Sequence, residues 1–474
     1  MAVSKDDQAL YLAIDQGGHA SRALVFDARG HCYAQAEVAI ATHAPVPSQV
    51  EHSPAEMVAS VRAACEQVLL QLGEAAARVR AAGLATQRSS MVCWDRRTGQ
   101  TLTPVISWQD TRAEEFVATL SAQTEMMRQK TGLFANAHYG ASKMSWCLQH
   151  LPAVAQAAER GDLVMGPLAS YLLFALLEER PLLADPANAQ RTLLMDVQVQ
   201  RWDDELLSLF GLNRAWLPTL VDCRFDFGHL QLGQWRIPLT VCTGDQSAAL
   251  FAEGAPQSDC WYANLGTGGF VQRLCDDAQF APRHLHSVVY SDGAQRWRVL
   301  EGTVNGAARA LDWLAQQHPG VDWRNQLEGW LQVYTEPGLF VNQVSGLGSP
   351  FWRAQGRSYF QGAATIPQQF VAVLESIVFL LNHNMHGMVG QSTPGRVLLS
   401  GGLARSDGLC QRLADLAQLP VHRLHQHEAT ARGLAYLLAG LPEFSWQTSN
   451  FDFFSPRKND IFRAGYSRFL AQIQ

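Results

Sequence analysis

No lysine follows a glycine anywhere in the 474 residues, so the chain has no phosphate loop of the GxxxxGK[ST] kind. HExxH is missing, which removes one common zinc site. GxGxxG is missing too, which weighs against a dinucleotide-binding oxidoreductase. The nine cysteines are scattered, odd in number and without a CxxC pair. That speaks against a disulfide framework or a zinc cluster and for a reducing compartment. No apolar run approaches the roughly 20 residues of a membrane span. The opening MAVSKDDQAL has no basic stretch before an apolar one, so no secretory leader is expected. The net charge of −6 gives no reason to expect a nucleic-acid or other polyanionic partner. The expectation is a cytoplasmic protein with neither nucleic acid nor membrane among its partners.

What is present is a repeated arrangement of strands and glycine turns. In Pro238 to Phe270, a short apolar run, Leu239 to Cys242, reads as a buried strand ending in Gly244-Asp245-Gln246. A helix-like segment, Ser247 to Ala252, follows. A second strand, Trp261 to Leu265, runs into Gly266-Thr267-Gly268-Gly269. Such a turn is almost all backbone, and bare N–H groups can close on phosphate oxygens. Asp245, next to a glycine at a strand end, is a candidate base. Near the N-terminus, Leu10 to Ile14 reads as a strand leading to Asp15-Gln16-Gly17-Gly18-His19, then Ser21 to Asp27 and Cys32 to Ile40 as return strands. Strand, glycine turn, strand therefore occurs twice, as a duplicated unit opening each half.

Strands and helices alternate in both halves, which predicts an α/β fold. The length calls for more than one core. The boundary falls after Gln246, giving domains 1–246 and 247–474. Ser53-Pro54-Ala55-Glu56 starts a helix that should reach about Leu72. Val79 to Thr86 is a strand delivering Gln87-Arg88-Ser89-Ser90. Met91 to Asp95 and Leu102 to Trp108 read as a hairpin. Thr131 to Tyr139 is a loop before a helix around Ser142 to His150. Arg396 to Ser400 is a strand ending in Gly401-Gly402, with Ser406 as cap of the next helix. His422, His425 and His427 fit no common zinc spacing and read as a solvated loop.

Seven segments, in order, resemble the FGGY family of carbohydrate kinases, and within it glycerol kinases most closely. They are ALYLAIDQGGHASRALVFD, LATQRSSMVCWDRRTGQTLTPVISWQDTR, DPANAQRTLLMD, TGDQSAALFAEG, YANLGTGGF, LEGTVNGAARALDWL and LLSGGLARSDGLCQRLADLAQLPV. The resemblance implies two related domains of the actin/ribonuclease-H-like ATPase fold with a cleft between them. It implies ATP and Mg²⁺ as cofactors and phosphoryl transfer to a hydroxyl of a sugar or polyol. It leaves a homodimer or homotetramer open. Asp245 is similar to the family's catalytic base. Asp15 matches the carboxylate that holds Mg²⁺ through water. Arg22, Gly266 and Thr267 match phosphate-contacting positions, with Gly17, Gly18 and Gly268 in the same two turns. Gly401, Gly402 and Ser406 lie where the family holds adenosine. Arg88, Trp108, Gln246 and Phe270 match the acceptor pocket, together with Asp245.

Three departures bear on function. Where glycerol kinases carry a Glu after the Arg this chain has Ser89, and His138 stands in place of their substrate-contacting Tyr. A pocket that hydrogen-bonds hydroxyls discriminates strongly, so these changes point to an acceptor other than glycerol. Gly18-His19 replaces a Thr pair usual in relatives. That keeps backbone donors and loses two hydroxyls. The alternatives are a glycerol kinase with an altered pocket and a non-catalytic nucleotide or sugar sensor of the same fold.

Overall fold

The computed structural model describes residues 9–473 apart from 277–280, 354–355, 391–393, 426–427, 443–445 and 448–449. His427 and most of the segment read for a leader lie outside the described residues. The chain forms two compact units, and neither is a continuous half. The first holds Met1–Pro256, His286–Arg298 and Glu428–Thr448; the second holds Gln257–Leu285, Val299–His427 and Ser449–Gln474.

The first unit is built on a six-stranded sheet. Its strands are β1 (Leu10–Gln16), β2 (Ala20–Asp27), β3 (Cys32–Ala39), β4 (Val79–Thr86), β5 (Arg224–Leu232) and β6 (Trp235–Gly244). The order is β3-β2-β1-β4-β6-β5. β1, β2 and β3 form an antiparallel meander, while β1, β4 and β6 run parallel. Parallel neighbours must be buried on both faces, and these strands read as near-continuous apolar runs accordingly. Helix α1 (Pro54–Leu72) covers one face, with Met57, Val61 and Val68 buried against Leu12, Ile14 and Leu84. Ser53 caps it, its Oγ accepting from the N–H of Glu56 at 3.3 Å. Helix α2 (Gly140–His150) follows the 131–139 loop, and α3 (Asp245–Ala249) opens directly on Asp245. That start is two residues earlier than the sequence suggests.

The second unit repeats this plan. Its seven-stranded sheet is made of β7 (Cys260–Leu265), β8 (Gly269–Leu274), β9 (Leu285–Ser291), β10 (Arg296–Val304), β11 (Arg396–Ser400), β12 (Val421–Leu424) and β13 (Phe451–Phe454), although His286–Arg298, nearly all of β9 and the start of β10, counts with the first unit. β7, β8 and β10 make the antiparallel meander, β7, β11 and β12 run parallel, and β13 is an antiparallel edge. Six of its seven strands, all but β9, repeat the pairing pattern of the first sheet, so the duplication read from two glycine turns extends through the sheets. Helices α4 (Ala308–Gln317), α5 (Ile366–Gly387) and α6 (Asp407–Ala417) supply its core, with Phe370, Ile377 and Leu413 buried among Leu265, Val271, Val397 and Leu399.

Three expectations change. The hairpin of 91–108 is only partial. Met91–Asp95 pairs with Leu163–Pro167, and its sequence partner shrinks to Val105–Ile106. Pro104 has no N–H for a ladder, which stops the strand there. His422 is not on a loop: it lies in β12 and stacks on Phe451 with ring centroids 4.6 Å apart. The alanine- and leucine-rich run from Glu428 to Leu438, which falls in 247–474 and reads as a final helix, forms α7 (Ala429–Leu438) but belongs to the first unit, and another helix, Asp460–Ile473, follows it.

α7 packs on the sheet and on α3. At Gly83 in β4 a Cβ would come within 3.0 Å of Leu434. At Gly433 a Cβ would overlap the carbonyl oxygen of Ala248, so only glycine allows this approach. Thr430 Oγ1 donates to the carbonyl oxygen of Asp245 at 3.3 Å. Gly433→Ala should therefore push α7 off α3 and cost about 1–3 kcal/mol. A drop of several degrees in Tm checks this; an unchanged Tm would show that the contact is not tight.

Candidate active site

The sheet register brings the first unit's candidate residues together. Gln16, Thr86 and Gly244 are aligned across β1, β4 and β6. The residues that follow them, Gly17-Gly18, Gln87-Arg88-Ser89 and Asp245-Gln246, thus emerge side by side. In α/β sheets ligands bind outside such carboxyl ends.

On the β1 side, Asp15 pairs across the hairpin with Arg22, and their side chains approach to 3.9 Å. The turn is closed by the N–H of Gly17 donating to Ala20 O at 3.0 Å. A Cβ on Gly18 would meet nothing within 4 Å, so the turn's backbone faces open space. Arg22 Nε donates to Glu37 at 2.6 Å and lies 3.9 Å from Glu428. Burial lifts the Asp15 carboxyl to about 7; the charge of Asp245 adds to this, and Arg22 opposes it.

On the β6 side, Asp245 Oδ1 accepts from the N–H of Gln246 at 2.7 Å and lies 3.9 Å from Arg88 Nε. Arg88 also donates to Gln246 Oε1. A Cβ on Gly244 would sit 2.5 Å from Arg88 Cδ, so the glycine lets the arginine cross the strand end. Burial raises the Asp245 carboxyl above its ordinary value, and Arg88 is the first group pulling it back. Ser89 has φ of 66°, a left-handed conformation that costs a side-chain-bearing residue roughly 1–3 kcal/mol. Its buried Oγ has no hydrogen-bond partner among the described residues. Trp108 and His138 meet edge to face, 5.4 Å between ring centroids. Burial, then the cations Lys143, Arg191 and Arg88, hold the His138 imidazole well below its ordinary value, so it is neutral.

In the second unit the two glycine turns are neighbours. β7 and β11 run parallel with Asn264 opposite Ser400, and Asn264 Nδ2 donates to Ser400 Oγ at 2.9 Å. Gly401, with φ of 96°, passes so close that a Cβ would lie 2.5 Å from Leu265 O. Gly266 and Thr267 offer their carbonyls to the N–H groups of Ala308 and Arg309 at 3.1 Å each, seating the turn on the start of α4. Thr267 and Gly268 are exposed. The Ser406 hydroxyl accepts from the N–H of Leu409 at 3.1 Å and is thus occupied as the cap of α6. Phe270, half-buried in β8, is in this unit, whereas Arg88, Ser89, Trp108, His138 and Gln246 are in the first.

The sequence reading passed over Lys143, Arg191 and Glu428. Arg191 lies in DPANAQRTLLMD, whose role spacing does not reveal. Asp185 there caps a short helix through the N–H of Asn188 at 3.0 Å, and Arg191 donates to Ser287 Oγ at 2.7 Å. Lys143 carried a signal, as a lysine inside a helix that is otherwise buried around it.

The sequence matches the FGGY family of carbohydrate kinases, N-terminal domain, over residues 10–252 and its C-terminal domain over 261–440. A glycerol kinase of Xanthobacter autotrophicus is 34% identical over 449 residues, covering 91% of this chain and 90% of its own. Among solved structures, Plasmodium falciparum glycerol kinase with ADP superposes with a TM-score of 0.89 at 24% identity, over 98% of this chain and 97% of that one. Xylulose kinase from Rhodospirillum rubrum does so with a TM-score of 0.86 at 20% identity, over 98% of both chains. The two solved structures bear on the fold alone.

Asp15 yields a pH prediction. Its carboxyl is pushed up to about 7 in the folded protein, from the 3.8 of an ordinary aspartate in the unfolded chain. Between those values the unfolded chain binds fewer protons, so stability falls as pH rises from about 4 to about 7. Asp15→Asn removes that loss. The variant should be more stable than the parent at pH 8, by on the order of a few kcal/mol, and by about a third of that at pH 5. Melting curves from pH 5 to 8 test this, and a difference that does not widen with pH would refute it.

Proposed function

Because the chain belongs to the FGGY family of carbohydrate kinases, phosphotransferases acting on alcohol groups of sugars and polyols, we propose that it uses MgATP to phosphorylate a hydroxyl of a polyol or ketose longer than glycerol, with Asp245 as the base. The observation that carries the choice of acceptor is Ser89. It is small, buried and held left-handed, with an unpartnered hydroxyl beside Arg88, where glycerol-using relatives have a carboxylate. Room is left for a longer chain, and the hydroxyl is left for one of that chain's oxygens. His138, neutral, can donate to a carbonyl or accept from a hydroxyl.

Arg88, Gln246, Ser89 and His138 orient the acceptor beside Trp108. As the new O–P bond forms and the bond to ADP breaks, the hydroxyl's proton passes to Asp245. In a loose transition state this transfer is late, so a carboxylate suffices if positioned. Its raised proton affinity makes it a stronger acceptor than a solvated one. The Gln246 N–H, 2.7 Å from Oδ1, fixes its orientation. Gly17, Gly18, Arg22, Gly266, Thr267 and Gly268 hold phosphates, and Gly401, Gly402 and the main chain at Ser406 hold adenosine. Domains 1–246 and 247–474 divide these roles, the acceptor pocket and base in the first, the second turn and adenosine residues in the other. A cytoplasmic location is part of this proposal, supported by nine scattered cysteines without a CxxC pair. Among the described residues no helix is long and apolar enough to cross a membrane.

The residues fit a divalent cation. Asp15 is an oxygen ligand beside an open backbone turn. No group of three or more His, Cys, Asp or Glu able to hold a metal occurs among the described residues. One carboxylate with water and nucleotide phosphates is the manner in which Mg²⁺ is bound. When bound, Mg²⁺ neutralises phosphate charge. A glycerol kinase with an altered pocket is the second reading, favoured by the name of the Xanthobacter relative.

Two variants test the proposal. Asp245→Asn should keep nucleotide binding and lower kcat by about 10²–10⁴-fold; near-normal turnover would remove Asp245 from the mechanism. Losing two hydroxyl partners should weaken glycerol by on the order of 2–4 kcal/mol, or one to three decades. Ser89→Glu/His138→Tyr should therefore gain kcat/KM on glycerol and lose it on the longer acceptor. A parent that already prefers glycerol would favour the second reading.

A further inference from the structure

Lys143 is one of only four lysines among 37 basic residues, and it is fully buried at the start of α2. Its Nζ donates to two carbonyl oxygens, Ser107 O at 2.7 Å and His138 O at 2.8 Å. These belong to the two segments that present Trp108 and His138. Ser107 O and the N–H of Trp108 are the two polar ends of a single peptide group. That N–H donates to Ser90 Oγ at 3.0 Å. Ser90 Oγ donates in turn to Gln87 Oε1 at 2.9 Å. Gln87 Nε2 donates to Gly17 O at 3.1 Å, and the Gln87 N–H to Gln16 O at 2.9 Å. Gln87, Ser90 and Lys143 are 3%, 1% and 0% exposed, so solvent offers the chain of bonds no competing partners.

We propose that Lys143, Ser90 and Gln87 are positioning residues that hold the Trp108–His138 wall of the acceptor pocket at a fixed setting from the Gly17-Gly18 turn. None of the three needs to touch the acceptor. Trp108 is 38% exposed, yet the peptide group before it is pinned at both ends. The His138 main chain is fixed by Lys143 at its carbonyl and by Asn136 Oδ1, 2.9 Å from its N–H. A compact ammonium with three donors and no acceptor suits a point where two carbonyls converge. The charged groups that face Lys143 are Asp110 and Arg112, which are paired with each other at 2.8 Å, and the nearby Cys147 thiol. A neutral amine keeps two N–H bonds, enough for both carbonyls, so the device is a brace rather than a pH switch. Bonds in such a chain polarise one another, and removing any one link loosens the others. Transfer is sensitive to sub-ångström placement of the acceptor, which gives the brace a kinetic consequence.

The test is a double-mutant cycle with Ser90→Ala and Lys143→Met. Each single variant should lower kcat/KM for the acceptor about tenfold while the KM for ATP stays within twofold. The double variant should lose scarcely more than the worse single, because both cut one chain. Fully additive losses, equal losses toward ATP and acceptor, or no loss would overturn the proposal. If Lys143→Met does not fold, Gln87→Leu replaces it in the cycle. The kinetic arm rests on the kinase reading, so a substrate-free arm accompanies it. The His138 imidazole signal, assigned with His138→Gln, is titrated by NMR in the parent and in Ser90→Ala. A rise of its titration toward the ordinary histidine range in Ser90→Ala supports the brace, even if no acceptor is turned over. An unchanged titration overturns it. A parent that phosphorylates no acceptor while the titration moves would reject the kinase reading and leave the brace standing.

Discussion

Three parallel strands ending in register are the constraint on which the rest depends. With Gln16, Thr86 and Gly244 aligned, the next residues along each strand are forced into one neighbourhood. That neighbourhood holds the Asp15 turn, the Arg88 segment and Asp245. A one-residue slip of β4 would send the Arg88 segment to the other face of the sheet. The buried apolar runs that prevent such a slip therefore also set the site. Glycine is needed where the strand ends crowd: Gly244 makes way for Arg88, and Gly433 lets α7 seat α3. In the second unit the same parallel pairing sets Gly266 and Gly401 side by side, with Asn264 and Ser400 bonded between the strands.

Charge in the first unit is divided along this line of strand ends. On the β1 side three carboxylates, Asp15, Glu37 and Glu428, surround one arginine, Arg22. Burial and mutual repulsion keep the Asp15 carboxyl reluctant to ionise. Around His138 the neighbours are cations, Lys143, Arg191 and Arg88, and the imidazole stays neutral. Asp245 lies between the two, raised by burial and restrained by Arg88. A carboxylate in that position is a poor structural ion pair, at 3.9 Å from its arginine, and a good proton acceptor. The cost in stability is concentrated at Asp15, which is where a cation would relieve it.

The sequence made the parallel core legible because each strand is a short apolar run, and all but Val79–Thr86 and Val421–Leu424 stop at a glycine. Leu10 to Asp27, Val79 to Thr86 and Arg396 to Ser400 lie within a residue or so of the strands found. The duplication was visible in two turns; the matching strand orders needed pairing partners far apart in the chain. What local pattern could not show was long-range return. Glu428 lies more than 400 residues from Asp15, and α7 reads as an alanine- and leucine-rich helix of the second half, yet both belong to the first unit. Lys143 and Arg191 matter through carbonyls and hydroxyls contributed by other segments, which no spacing rule encodes. The 91–108 hairpin failed for a local reason, Pro104, that was present in the sequence and outweighed by the alternation around it.

The account turns on an acceptor pocket shaped by Ser89 and His138 next to a base at Asp245. The most direct measurement is the rate of ADP release from MgATP in a coupled assay, across glycerol and a panel of four- to seven-carbon polyols, ketoses and aldoses. The account predicts acceptor-dependent release, with at least one longer polyol or ketose exceeding glycerol in kcat/KM by tenfold or more, the lower edge of what two lost hydroxyl partners cost. Release that no acceptor stimulates, or a clear preference for glycerol, would contradict it.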